Sequence, residues 1–89
     1  MLWQDTAGDK VALRRVVEEF IGERLNDPRF KYGLLRFDIP MFNSWTESRY
    51  ILFDDGDLTS ALTDLIKEGK LEIDIHDRSR TIYLNIARP

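Results

Sequence analysis

Eighty-nine residues, 43% hydrophobic and 33% charged, describe one small globular domain spanning 1–89, in which every strong apolar stripe is needed for the core. The chain has no cysteine, which excludes disulfides, thiol catalysis and zinc–thiolate sites and fits a reducing, cytoplasmic compartment. Its net charge is −3, and no apolar run approaches the roughly 20 residues of a membrane span, so a membrane-spanning role is not expected.

The opening, Met1-Leu2-Trp3-Gln4-Asp5, has neither the basic region nor the apolar run of a secretory signal. Trp3 has two open readings, burial by the terminus folding back or contact with a second subunit. A helix follows. Leu13, Val16, Val17, Phe20, Ile21 and Leu25 recur at the spacing of one helical face, with Asp9 placed as N-cap and Asp27-Pro28 as the stop. Arg14–Glu18 and Arg15–Glu19 stand at i, i+4 on its exposed side.

The middle of the chain is less legible. Residues 34–37 lead to Ile39-Pro40 with the alternation of a short strand, and Met41-Phe42-Asn43-Ser44-Trp45 reads as a loop rich in large apolar groups. Ser44-Trp45-Thr46-Glu47 has capping-box spacing and could open a short helix to about Leu52. Tyr50-Ile51-Leu52-Phe53 is aromatic and β-branched and closes on the turn signal Asp54-Asp55-Gly56, which favours a strand there instead.

The last third is the clearest. Leu58, Ala61, Leu62, Leu65 and Ile66 form a helical stripe, with Asp57 placed as N-cap and Gly69 as the left-handed residue after the helix. Two runs alternating with period two follow, residues 71–76 and 81–86, joined by Asp77-Arg78-Ser79-Arg80. A four-residue turn sets Ile75 opposite Ile82, Ile73 opposite Leu84 and Leu71 opposite Ile86 as an inner face. Leu65 and Ile73 are expected to be buried between this helix and the hairpin. Glu72, Asp74, His76, Thr81, Tyr83 and Asn85 are expected on the outer face.

This unit resembles the winged-helix superfamily, through Leu62, Leu65-Ile66, Gly69 and Leu71 and a wing tip at Arg78-Ser79-Arg80. The resemblance implies an α+β, winged-helix-like domain, with residues 34–37 as the small edge strand. A strand at 50–53 would instead give a two-layer α-β-β-α-β-β sandwich on a four-stranded antiparallel sheet. The resemblance also implies DNA binding, with the helix 57–68 presenting Thr59, Ser60, Thr63 and Lys67 to the groove and Arg78 and Arg80 reaching phosphate from the wing 77–80.

Charge distribution points elsewhere. Residues 1–53 balance eight acids with eight bases, 54–77 carry a net −6, and 78–89 carry +3. Duplex binding draws its affinity from neutralising phosphate, which an acidic block opposes. The leading expectation is therefore a non-enzymatic protein-binding module, a small acidic regulator or inhibitor. Asp54, Asp55, Asp57, Asp64 and Glu68 would face a basic partner surface, and Phe42 and Trp45 would serve as aromatic contacts. Homodimerisation stays open. No cofactor, metal site or enzymatic activity is expected: the lone His76 has no metal-binding neighbour in sequence, and Asp54-Asp55-Gly56-Asp57 lacks the ligand order of a calcium loop.

Overall fold

The structure, a computed structural model, describes residues 2–30, 35–76 and 81–87, without the side chains of Phe30, His76, Thr81 and Ile82. In chain order it contains β1 (Gln4–Asp5), α1 (Lys10–Asn26), a single 3-10 turn (Pro28–Phe30), α2 (Ile39–Ser48), β2 (Ile51–Leu52), α3 (Asp55–Lys67), β3 (Leu71–His76) and β4 (Thr81–Ile86). It is a small α+β domain with three α-helices and two two-stranded sheets among the described residues.

α1 forms where expected. The Asp9 carboxylate accepts from the Ala12 N–H at 3.0 Å, and Asp27 ends the helix in an extended conformation ahead of Pro28. Leu13, Val16, Val17, Phe20 and Ile21 are all buried against the rest of the core. Arg14 Nε donates to Glu18 at 2.7 Å, as the spacing implies, whereas Glu19 faces Arg49 at 3.8 Å.

α2 corrects the loop expected at residues 41–45. The helix starts earlier than the Ser44 capping box because Asp38 is its cap, its carboxylate accepting from the Met41 N–H at 3.1 Å. Pro40 sits within the first turn, where its missing N–H costs no helical bond. The strand favoured at residues 50–53 survives as β2 alone, and it follows a helix rather than replacing one. Tyr50 makes the link with a left-handed φ of 58°, uncommon for a bulky residue.

β2 pairs in parallel with β1, so the expected alternative of a four-stranded antiparallel sheet is not seen among the described residues. The β3–β4 hairpin has the expected register, Leu71↔Ile86, Ile73↔Leu84 and Ile75↔Ile82. Among the described residues only Arg36 extends that sheet, through an isolated antiparallel bridge to Asn85. There the Phe37 N–H donates to Leu84 O and the Ile86 N–H to Leu35 O, both at 2.7 Å. Leu34, the first residue of the expected edge strand, lies outside the described residues, as does the turn 77–80.

α3 packs along α1 through Leu58, Ala61, Leu62 and Leu65, with Ile66 at the margin. Its cap is Asp54, whose side chain accepts from the Asp57 N–H, rather than Asp57 as the sequence suggested. Gly69 turns the chain out of α3 with φ 78°, the left-handed geometry expected of it. Burial then fades along the ribbon. Leu71 and Ile86 are in the core, but Ile73 is 51% exposed and Ile75 still more so. Ile73 was expected inside; the inner face of the hairpin continues beyond the layer the helices cover. Asn85 departs the other way, buried although it belongs to the outer set.

Candidate protein-interaction surface

The residues singled out in the sequence do not form one site. Phe42 is fully buried, in ring contact with Phe20, Phe37 and Phe53 at centroid distances of 5.3 to 5.5 Å. Its side chain offers no partner-facing surface, which corrects its assignment as a contact residue. Trp45 lies half-buried beside it and is already engaged. The indole Nε1 donates to Glu23 at 2.5 Å, and the Arg49 guanidinium lies over the ring at 4.4 Å. Arg49 Nη2 also donates to Glu23 at 2.5 Å, so α1 and α2 are stapled by one ring, one cation and two carboxylates.

The acidic block divides in the same way. Asp54 caps α3, and Asp57 Oδ2 accepts from the Gly8 N–H at 2.8 Å, tying the turn after β1 to the start of α3. Glu68 is gripped by both terminal nitrogens of Arg14, at 2.7 Å for Nη2 to Oε1. That fork, together with the bond to Glu18, holds the Glu68 and Glu18 carboxyls below their ordinary values, with the Arg14 hydrogen bond the main cause. Away from this block, the Arg29 guanidinium brings Asp27 down to about 2. Of the five acids only Asp55 and Asp64 stand outward without a structural duty of this kind. Asp55 lies in the first turn of α3, where a negative charge suits the helix dipole.

On the exposed side of α3, the Thr59 hydroxyl donates to Asp55 O at 3.1 Å and the Thr63 hydroxyl to Thr59 O at 2.8 Å. Both donors are thus turned back onto the helix, with Ser60 and Lys67 on the same element. Arg78 and Arg80 lie outside the described residues.

The surface that pattern reading missed is built by β1 and β2. Parallel pairing sets Gln4 beside Ile51 and Asp5 beside Leu52, with Gln4 N–H donating to Tyr50 O at 2.8 Å and Thr6 N–H to Leu52 O at 2.9 Å. The fully buried Thr6 hydroxyl adds a bond to Leu52 O at 2.8 Å. This brings Trp3 against Tyr50 edge to face, at 5.1 Å between centroids. Leu2, Trp3, Tyr50 and Leu52 are all exposed, and Trp3 keeps 48% of its surface open. Beside them runs a groove of about 360 Å³ lined by Trp3, Asn43, Thr46, Glu47, Ile51, Leu52, Phe53 and Asp55. Two aromatic residues 47 positions apart met here through a parallel pairing, which leaves no local periodicity to read.

Among the described residues no group of three or more His, Cys, Asp or Glu is placed to hold a metal ion, and no helix is long and apolar enough to cross a membrane. In comparisons with protein-family models, curated proteins and solved structures, nothing matches this chain.

Proposed function

We propose that this chain is a non-enzymatic protein-binding module, a small acidic regulator or inhibitor acting by surface contact in the cytoplasm. The observation that carries this reading is the exposed cluster at the β1–β2 pair, where Trp3 packs on Tyr50 and lines one groove with Leu52, beside Glu47 and Asp55. Clustered exposed aromatic and aliphatic side chains next to polar rim residues are the anatomy of an interface centre. The contact residues of the proposal are therefore Trp3, Tyr50, Leu52 and Asp55, with Asp64 as an outlying charge. Capture of a binding partner from the native host, identified by mass spectrometry, tests it. Trp3→Ser/Leu52→Ser should abolish capture while Ile73→Ser leaves it intact, and equal capture by all three chains would refute the assignment. Sedimentation of the free chain reads out whether the partner is a second copy.

A second reading, a winged-helix-like DNA binder, is favoured by the order α1, edge bridge at Arg36, α2, α3, hairpin. Arg14 also cancels Glu68 beside the end of α3, so the field there is less negative than a residue tally implies. Affinity for random duplex is expected at about 10⁻⁴ M or weaker at physiological salt. Anisotropy titrations showing tight, steeply salt-dependent binding that Arg78→Ala/Arg80→Ala removes would put this reading first.

A further inference from the structure

The groove beside Trp3 has a charge asymmetry. Among the described residues its lining contributes two carboxylates, Glu47 and Asp55, and no cation. Neither carboxylate forms a salt bridge with any described residue, and each is exposed. The exposed Trp3 indole is part of the wall, together with Leu52, Ile51 and Phe53.

The same residue types, an indole and two carboxylates, occur elsewhere in the molecule with a cation among them. On the α1–α2 face, Arg49 lies over Trp45 at 4.4 Å while its terminal nitrogens reach Glu23 at 2.5 Å and Glu19 at 3.8 Å. A planar guanidinium suits such a place because its face stacks on the ring while its edge donates to carboxylates. Arg36 repeats the stacking half of the motif over Tyr83, at 3.7 Å. In the groove, ring and carboxylates are present, and no arginine among the described residues lines it.

We infer that the groove beside Trp3 seats an arginine of the partner, carried on a segment whose apolar side chains cover Leu52. The inference rests on the protein-binding reading and names the partner's chemistry: a basic, leucine-like stretch. Lysine fits less well, because an ammonium is a point charge with no face to stack.

Two short blocked peptides test it, one alternating leucine and arginine, the other with citrulline, the neutral isostere, in place of arginine. Each is titrated into the full chain while the two indole N–H resonances are followed, assigned with Trp3→Phe. The arginine peptide should shift the Trp3 indole saturably and leave the Trp45 indole in place. Citrulline should weaken binding about tenfold, as should Glu47→Gln/Asp55→Asn, the loss expected for one stacked, ion-paired cation. Should the double variant melt early, Glu47→Gln alone replaces it, and the citrulline arm needs no variant. Equal binding of both peptides at Trp3 overturns the arginine assignment while leaving an apolar protein contact standing. Shifts at Trp45 instead of Trp3, or no saturable shift in a folded chain, overturn it as well; partner capture then judges the broader reading separately.

Discussion

Two leucine-sized side chains that the sequence treats alike behave oppositely in the fold. Leu65 is fully enclosed between α1, α3 and the hairpin base, whereas Ile73 is half in water. Leu65→Ala should cost about 2–5 kcal/mol, and Phe42→Ala about 3–5, each a large share of a small domain's stability. Ile73→Ala should fall within about 1 kcal/mol, because little of its surface is withdrawn from water. Urea unfolding of the three variants separates them. Arg14 makes a different kind of contribution, by holding Glu18 on its own helix and Glu68 on α3. Both carboxyls titrate below the ordinary value of 4.5, so the unfolded chain takes up protons first as pH falls. The clamp therefore acts fully above about pH 4.5 and is lost as pH drops through the lowered values. Arg14→Gln should unfold at lower urea than the parent at neutral pH, and the gap should close in acid.

Element by element, legibility followed how local the determining contacts were. α1, α3, Gly69 and the hairpin register could be read because helical and strand periodicity, caps and a turn lie within a few residues of one another. α2 was obscured by Pro40, which closes a strand as readily as it opens a helix. The deciding signal was Asp38 two residues earlier, a cap with no glutamate three positions on to complete a box. Asp38→Ala should therefore destabilise by about 1 kcal/mol, and Ser44→Ala by much less, since Ser44 sits within the helix and not at its cap. Thermal melts of the pair decide which residue starts α2. The hairpin was read correctly in register and wrongly in depth, because alternation says which residues share a face and not how far the helices extend beneath it. The candidate surface was the least legible part: Trp3 and Tyr50 share no element, and Leu52 belongs to a strand of two residues.

For the molecule as a whole, the N-terminal segment is a working part of the domain. Thr6 is buried without any exposure, and it and Gly8 are bound to residues 46 and 49 positions away. Removing residues 1–8 should leave α1 and α3 packed but lower the melting temperature by roughly 4–8 °C per kcal/mol lost, and it should erase the groove beside Trp3; a melt and the peptide titration read both effects. The parallel pairing that builds the surface also sets its timing. Closing a loop of that length has an entropic cost that two residues of strand cannot offset alone, so β1 can settle only on a β2 already positioned by α2 and α3. During synthesis residues 2–6 leave the ribosome long before their partners exist, and Trp3 has no Tyr50 to pack against until residues 50–52 have emerged. In pulsed hydrogen exchange the amides of Gln4 and Thr6 should gain protection last. The groove beside Trp3 is thus completed only once α2, β2 and the start of α3 are in place, so a chain that has not reached that stage presents no such groove to the partner proposed above.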